Sequence, residues 1–206
     1  LRNPLMAIES FATFLEEDYA ERLDDAGRDL LRRIQVAATK MESLIGDILS
    51  LSRVGRVELK KVDVDLSALV SKYLQELHSS QPERKADFII QAEVQVHADK
   101  ALIRIALENL LRNAWKFTSK KAVTKIAFGC FVKEGETIYY IRDNGAGFDK
   151  KFARSIFEPF KRVHAEADFR GTGIGLSIVQ RVIQRHGGNV WAEGEVGQGA
   201  TFSFTL

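Results

Sequence analysis

The stretch GTGIGL, from Gly171 to Leu176, leads into an amphipathic pattern that predicts a helix over residues 174–186. Three glycines separated by single residues leave backbone N–H groups free, and the start of the following helix adds a partial positive charge. The stretch therefore predicts a phosphate-binding turn. It lacks the Gly-Lys-Ser/Thr ending of a P-loop and the glycine spacing of a Rossmann turn, so we expect neither of those folds.

Short β-type runs alternate with helical patterns before and after this turn, which is typical of a domain that combines helices with a sheet. Asp99 is placed to cap one of the predicted helices, and Gly187 with Gly188 ends another. We predict strands near residues 62–66, 88–91, 94–97, 123–132, 137–142, 189–192 and 201–205, and helices over 69–78, 100–116 and 174–186.

The first 54 residues have a different pattern, in which apolar residues recur at alternating steps of four and three. A polar stretch at residues 21–25 divides this pattern and predicts an antiparallel helical hairpin. Because one narrow seam on each helix cannot enclose a core, we predict a homodimer whose two hairpins form a four-helix bundle. The alternative is a hairpin packed on the C-terminal part of its own chain. The seam residues are Leu1, Leu5, Ile8, Ala12, Leu15 and Tyr19, then Leu30, Ile34, Ala37, Met41, Leu44, Ile48 and Leu51.

Asn109 and Asn113 lie four residues apart on one face of a predicted helix. Leu110, Leu111 and Ala114 point to the core side, so we expect the two amides at the rim of a pocket. An amide oxygen suits Mg²⁺, which prefers oxygen ligands and keeps waters and phosphate oxygens. The alternative is an ordinary pair of surface amides.

Asp143-Asn144-Gly145-Ala146-Gly147-Phe148 follows the predicted strand 137–142. A carboxylate at a strand end, followed by glycines that let a ligand approach, can accept a hydrogen bond from an amine such as that of adenine. The alternative is a hairpin turn made by Asp-Asn-Gly. The long stretch from Asp143 to Gly171 then predicts a functional lid, with glycines at both ends as hinges.

These motifs, together with Phe157-Glu158-Pro159-Phe160-Lys161-Arg162 inside the lid, resemble the histidine kinases of the GHKL superfamily. Gly197-Gln198-Gly199-Ala200-Thr201 is similar to the closing motif of their ATP-binding domains. The resemblance covers nearly the whole chain and implies an α+β fold. It implies a dimerisation and phosphoacceptor hairpin over residues 1–56, followed by an α/β sandwich over residues 60–206.

The resemblance also implies ATP and Mg²⁺ as cofactors and assigns roles to the motif residues. ATPases of the superfamily carry a Glu where this chain has Asn109, and because an amide cannot act as a general base, we expect phosphoryl transfer rather than fast hydrolysis. Glu108 is adjacent but turned by about 100° on the helix. The implied catalytic residues are Asn109, Lys116 and Arg162; the implied nucleotide-binding residues are Asn113 (through Mg²⁺), Asp143, Gly145, Gly147, Phe157, Phe160, Gly171, Thr172, Gly173, Gly175, Leu176 and Thr201.

The stretch from Leu1 to Leu5, LRNPL, matches the end of the family's phosphoacceptor motif, so we expect the acceptor His two residues before Leu1. We expect truncation rather than loss to explain its absence. None of the four histidines replaces it: His97 alternates within a strand, His186 ends a helix where a cation is favoured, and His78 and His164 look like surface positions. Asn3 occupies a position that in the family orients water for dephosphorylating a partner, so the resemblance implies a bifunctional kinase and phosphatase. The alternative is that Asn3 is only a solvated helix residue.

The composition agrees with a globular protein and excludes little else. The chain has 206 residues, 45% of them hydrophobic, and 30 Lys plus Arg against 28 Asp plus Glu, which offers no electrostatic argument for nucleic acid. Cys130 is the only cysteine, and no apolar run approaches the roughly 18 residues of a membrane helix. We therefore expect a cytoplasmic kinase core, within a protein that could be membrane-anchored elsewhere, with an upstream sensor domain and a response regulator as partner. The alternatives are a catalytically silent dimerisation and docking module and a GHKL protein-serine kinase or ATPase.

Overall fold

The computed structural model describes residues 2–54, 58–164, 169 and 171–206. The chain divides into two compact units, Leu1–Ser50 and Leu51–Leu206. Residues 55–57, where we predict the end of the hairpin domain, lie outside the described residues. Among the described residues, none of the helices combines the length and the apolar character that a membrane span requires.

The first unit is the predicted helical hairpin. Helix α1 covers Arg2–Tyr19, a 3₁₀ turn covers Ala20–Arg22, and helix α2 covers Asp25–Val54. Asp24 begins α2 as a cap, because its carboxylate accepts a hydrogen bond of 2.7 Å from the backbone N–H of Gly27. A side-chain hydrogen bond of 2.6 Å from Gln35 to Glu16 links the two helices.

Only part of the predicted apolar seam is buried within one hairpin. Leu5 and Ala12 of α1 are buried, and on α2 the buried residues are Leu31 and Ala38, which lie beside the seam that the spacing predicts. Leu44 and Leu51 are half-buried. The remaining described large seam residues of α1 and α2 are exposed, and such an apolar stripe marks an interaction surface. They are 43% to 57% exposed and comprise Ile8, Leu15, Tyr19, Leu30, Ile34, Met41 and Ile48.

Among its described residues, the second unit contains two sheets and three α-helices. Its strands are β1 (Lys61–Asp65), β2 (Ala86–Ile90), β3 (Gln95–Asp99), β4 (Thr124–Lys133), β5 (Glu136–Asp143), β6 (Val190–Glu195) and β7 (Gly199–Phe204). Its helices are α3 (Leu66–Ser79), α4 (Lys100–Phe117) and α5 (Gly175–His186). Strands β1 and β3 pair antiparallel, and the larger sheet has the order β2-β4-β5-β7-β6, in which only β2 and β4 run parallel.

The core lies between the helices and one face of the larger sheet. Period-two alternation buries Thr124, Ile126 and Phe128 of β4, whereas Lys125, between the first two, is exposed. Helix α4 buries eight side chains, including Leu110, Leu111 and Ala114 as predicted. The predicted α/β sandwich is therefore confirmed.

Side-chain caps set two helix starts in this unit. Helix α3 begins at Leu66, three residues before the prediction, because the Asp65 carboxylate accepts a hydrogen bond from the backbone N–H of Ala68. The predicted cap at Asp99 is confirmed, since its carboxylate accepts from the N–H groups of Ala101 and Leu102, both at 3.1 Å.

The histidines differ from the predictions. His186 is buried and neutral rather than a cation at a helix end: Nε2 accepts from the Asp99 N–H at 3.0 Å, so Nδ1 carries the proton and donates to Val182 O at 2.8 Å. His78 and His164 are half-buried against aromatic rings, His78 beside Phe88 and Trp115 and His164 beside Phe117 and Phe169, rather than plain surface residues.

Candidate nucleotide-binding site

The predicted motifs meet where the second half of α4 packs against the start of α5. A Cβ atom at Gly175 would lie 2.7 Å from Asn109 Oδ1, so the start of α5 packs closely on this side chain. This contact brings the amide pair of α4 to the glycine-rich turn, although more than 60 residues separate them in the chain.

The two asparagines of α4 are in different situations. Asn109 Nδ2 donates a hydrogen bond of 2.8 Å to Ile105 O, one turn earlier on the helix. Asn113 is half-buried, and no hydrogen bond between described residues uses its amide. Glu108 points elsewhere, because its carboxylate pairs with Arg104 Nε at 2.6 Å and lines a groove between α3 and α4. Asn113 therefore remains available as a ligand, and Glu108 is not placed as a base.

Asp143 ends strand β5 with its carboxylate buried. The side chain is 5% exposed and accepts a hydrogen bond of 2.8 Å from the Gly145 N–H. Burial raises the pKa of Asp143 to about 6, although backbone N–H groups of Gly145 and Ala200 favour the ionised form. The hairpin-turn alternative is wrong, because 3₁₀ turns at Lys150–Phe152 and Ser155–Phe157 follow β5 instead of a paired strand.

The glycines after Asp143 are packed closely. Gly145 lies against α4, since its Cβ would be 2.7 Å from Phe117 O, and the next residue, Ala146, donates to that oxygen at 3.1 Å. Gly147 has φ +61, and its Cβ would lie only 1.8 Å from Glu195 O at the end of β6. This close packing argues against the hinge that we predict at Gly147 and indicates that the backbone at Gly147 is fixed against the end of β6.

Two cations converge on the glycine-rich turn. Lys116 is half-buried, and its Nζ lies 3.1 Å from the position of a Cβ atom on Gly171. Burial and the nearby positive charge of Arg162 lower the pKa of Lys116 to about 8. Arg162 Nη2 donates to Phe169 O at 3.0 Å. Because two like charges repel in a partly desolvated place, an anion between them would be bound favourably.

The start of α5 has the features of an anion site. Ile174, at the cap position, makes no side-chain capping bond. Thr172 and Leu176 are half-buried, and Thr172 Oγ1 accepts a long hydrogen bond of 3.4 Å from the Ile174 N–H. Gly173 has φ +78 and packs on the backbone of Phe160. The side chain of Ile174 therefore does not cap the first N–H groups of α5, which suits the binding of phosphate oxygens there.

The two phenylalanines of the lid segment separate in space. Phe157 is 3% exposed and packs against Phe202 of β7, with ring centroids 6.5 Å apart. Phe160 is 61% exposed and has φ +64, an unusual conformation for a bulky residue. Phe157 therefore belongs to the core, and only Phe160 lies at the surface. Residues 165–168 and 170 of the predicted lid lie outside the described residues.

The placement of Thr201 corrects the sequence-based assignment. Asp143 pairs with Ala200 across β5 and β7, so the two share one face of the sheet and Thr201 faces the other way. The Thr201 hydroxyl accepts from Arg142 Nε at 3.2 Å on that opposite face. Sequence reasoning did not assign Ala200 and Gly199 to the site. The glycine of the closing motif was the available signal for this part of the site, because Gly199 has φ +100 and a Cβ atom there would lie 2.0 Å from Asp143 O.

A helical hairpin followed by a sandwich of this topology defines the class of GHKL ATP-binding proteins that carry a dimerisation hairpin. Comparison with known families agrees with this class. The model of the family described as "Histidine kinase-, DNA gyrase B-, and HSP90-like ATPase" matches residues 98–206, and that of the "His Kinase A (phospho-acceptor) domain" matches residues 1–56. The chain therefore belongs to the sensor histidine kinases, as a core with a dimerisation hairpin and an ATP-binding domain.

Individual relatives support this assignment. Cyanobacterial phytochrome B of Nostoc sp. is 36% identical over an alignment of 209 positions, which covers 100% of this chain and 28% of the relative. The methanogenesis regulatory histidine kinase FilI of Methanothrix harundinacea is 34% identical and matches 100% of this chain and 23% of its own length. The crystal structure of full-length ShkA in complex with AMPPNP is similar with a TM-score of 0.70 and 27% identity, over 100% of this chain and 43% of that one. The chain thus spans about a quarter of the length of the two curated relatives, the phytochrome and FilI.

Proposed function

We propose that this chain binds ATP with Mg²⁺ and transfers the γ-phosphoryl group to a histidine of the dimerisation hairpin, for onward transfer to an Asp of a response regulator. The observation that carries the proposal is the buried Asp143 carboxylate. Burying a carboxylate destabilises a fold unless the group has partners, and an adenine amine would add one. The match to histidine kinase relatives supports transfer to histidine over the alternatives.

The residues around Asp143 have separate roles in this proposal. The N–H groups at the start of α5 bind phosphate oxygens, and Lys116 with Arg162 stabilises the negative charge during transfer. Asn109 provides no base to activate water, and Glu108 is held by Arg104. These features favour transfer to a protein nucleophile over hydrolysis.

Asn113 is the residue that would hold Mg²⁺. The described residues include no group of three His, Cys, Asp or Glu side chains that could bind a metal, so an amide and phosphate oxygens would have to supply the ligands. Bound there, the ion would neutralise phosphate charge.

The proposal extends to partners that are not described. The acceptor His would lie just before Leu1 in the longer protein, beside the surface that docks the response regulator, and a sensor domain would lie upstream. A phosphatase activity through Asn3 stays a sequence-based prediction, since the Asn3 side chain lies outside the described ones.

Labelling with radioactive ATP tests the proposal. A chain extended to include the hairpin His should acquire an acid-labile, base-stable label, as phosphohistidine does. An acid-stable label would indicate a serine kinase, and release of phosphate without label would indicate an ATPase. Absence of both label and Mg-dependent ATP binding would indicate a silent docking module.

The affinity for ATP is expected to be highest between about pH 6 and pH 8. The adenine amine needs an ionised Asp143, whose pKa is about 6, so affinity should fall about tenfold per pH unit below that value. The phosphates need a protonated Lys116, whose pKa is about 8, so affinity should also fall above it. Titration with a fluorescent ATP analogue across this range measures both limbs.

Two controls separate the limbs of this pH profile. Lys116→Arg keeps its charge at every pH and should lose the alkaline limb only. Adenosine, which has no phosphate to titrate, should keep the acid limb only. An acid limb that is absent for adenosine contradicts the role of Asp143.

Dimerisation is expected to depend on the exposed seam of the hairpin. Ile34→Glu places a charge on the seam of each subunit and should weaken the dimer by roughly 100-fold or more, because two apolar contacts are lost and two charges are buried. Analytical ultracentrifugation across a concentration series measures this. Val36→Glu is the matched control, because Val36 is 46% exposed against 49% for Ile34 but lies off the seam. Equal effects of both substitutions would contradict the predicted bundle.

A further inference from the structure

Arg84 lies in the turn between α3 and β2, and its guanidinium group reaches the C-terminal end of α4. Nη2 donates to Trp115 O at 2.6 Å and to Thr118 Oγ1 at 2.8 Å, and Nε donates to Thr124 Oγ1 at 2.9 Å. The guanidinium carbon lies 3.9 Å from the centroid of the Trp115 ring, in a cation–π contact. One side chain thus joins the end of α4 to the start of β4.

The main chain around Arg84 is held before its side chain makes these bonds. The Arg84 N–H donates to Gln81 O at 3.0 Å, and Arg84 O lies 3.1 Å from His78 Nε2. On the next residue, Lys85 O accepts from the Thr124 N–H at 2.9 Å. The guanidinium is therefore presented to α4 from a fixed position, which reduces the entropy lost in its bonds.

Arg84 is a costly choice if its role is only to stabilise the fold. Burial lowers the pKa of Arg84, which reports the loss of water around the charge. Within the described residues its hydrogen-bond acceptors are all uncharged oxygens, so no carboxylate compensates for this loss. The geometry suits a different task, since a planar fork can hold several acceptors in fixed relative positions.

The held peptide group is the one that carries Lys116. Trp115 O belongs to the peptide bond between Trp115 and Lys116, and Phe117 O, on the other side of Lys116, accepts from the Ala146 N–H at 3.1 Å. The last turn of a helix frays unless its carbonyl groups find donors. Arg84 and the Ala146 N–H supply such donors on both sides of Lys116, together with the Thr118 hydroxyl, which also donates to Trp115 O at 3.1 Å.

We infer that Arg84 is a positioning residue, which holds the end of α4 so that the Lys116 ammonium stays beside Gly171 and Arg162 to bind nucleotide phosphates. This inference rests on the proposed function. It predicts that Arg84 matters more for phosphates than for the adenosine part of the ligand. The Asp143 carboxylate accepts from the Gly145 N–H, and Gly147 and Gly199 pack on β6 and β5, which are contacts that do not involve α4.

The test compares ATP and adenosine binding to the whole chain and to Arg84→Lys, which keeps the charge but loses the fork. Lys116 on a phosphate contributes roughly 10- to 100-fold in affinity, as charge-assisted hydrogen bonds do, and we expect its misplacement to weaken ATP binding about tenfold. Adenosine affinity, measured by NMR titration, should change less than about twofold. In a Lys116→Met background the effect of Arg84→Lys on ATP should vanish, because the positioned group is absent.

Two comparisons keep the outcome specific. Arg104 lies on α4, the helix that carries Lys116, but it pairs with Glu108. Arg104→Lys should therefore leave both affinities unchanged. If Arg84→Lys does not fold, Thr124→Val removes a single acceptor of the guanidinium and is measured in the same way. Equal losses for ATP and adenosine, or an undiminished loss with Lys116→Met, would show a merely structural role and overturn the inference. Wild-type chain that binds no ATP would instead refute the proposed function.

Discussion

Asp143→Asn is expected to abolish useful ATP binding while making the protein more stable. The amide places an N–H group where the adenine amine needs an acceptor, so the affinity should fall at least about 100-fold. In the fold the carboxyl has a pKa of about 6 against its ordinary value of 3.8, so above pH 6 its ionised form destabilises the folded state. That difference corresponds to about 3 kcal/mol, and the loss of one hydrogen bond in the variant leaves a gain of roughly 1–2 kcal/mol.

Urea unfolding at several pH values, with ATP titration in parallel, measures both effects of Asp143→Asn. The gain in stability should be complete above pH 6 and should disappear as the pH falls below 3.8, where Asp143 is protonated in both the folded and the unfolded state. Asp149→Asn is a suitable control, because this exposed carboxylate pairs with Lys151 and has a lowered pKa. A variant at Asp143 that binds ATP normally would contradict its assignment to adenine.

Gly147→Ala is expected to be among the most damaging substitutions of a single methyl group in this chain. The new Cβ would meet Glu195 O at 1.8 Å, and φ +61 disfavours any side chain. The chain must move away from the β6–β7 turn, so the free energy of unfolding should fall by about 3 kcal/mol or more. The affinity for ATP should also fall, because the backbone beside Asp143 is displaced.

Gly135→Ala is the matched control for this substitution. Gly135 also has a positive φ, +85, but a Cβ atom there would meet nothing within 4 Å. Gly135→Ala should therefore lower the free energy of unfolding only through backbone strain, by about 1 kcal/mol, and should leave the affinity for ATP unchanged. Comparison of the two variants by chemical unfolding separates close packing from backbone strain. Equal destabilisation by Gly147→Ala and Gly135→Ala would contradict the close packing of Gly147 against the end of β6.

Elements whose signals are local could be predicted from the sequence. Helix α4 was expected over residues 100–116 and covers Lys100–Phe117, since both its apolar period and its cap at Asp99 lie within a few residues. The glycine-rich motifs are also visible in the sequence, although the contacts that exclude a side chain at Gly147 and Gly199 involve residues distant in the chain. The same signals revealed the family, and with it the two-domain organisation.

Contacts between distant segments could not be predicted. Nothing near Arg84 in the chain indicates that its guanidinium caps α4, because its partners lie 31 to 40 residues away. The side of the sheet that Thr201 faces depends on the register of β5 and β7. On α2 the buried Leu31 and Ala38 lie beside the predicted seam, because the crossing of the two helices and not the spacing decides which stripe is covered.

By itself, then, the sequence determined which segments form helices, strands and glycine turns, and which chemical groups this protein can bring to ATP. Periodicity, caps and glycine conformations act over a few residues, so a single chain segment suffices to specify them. Only the tertiary structure decided how deeply those groups are buried and at which pH they change charge. The pKa values of Asp143 and Lys116 depend on burial and on charges from segments far apart in the chain, and these exist only once α4, β5 and the glycine turns have packed together.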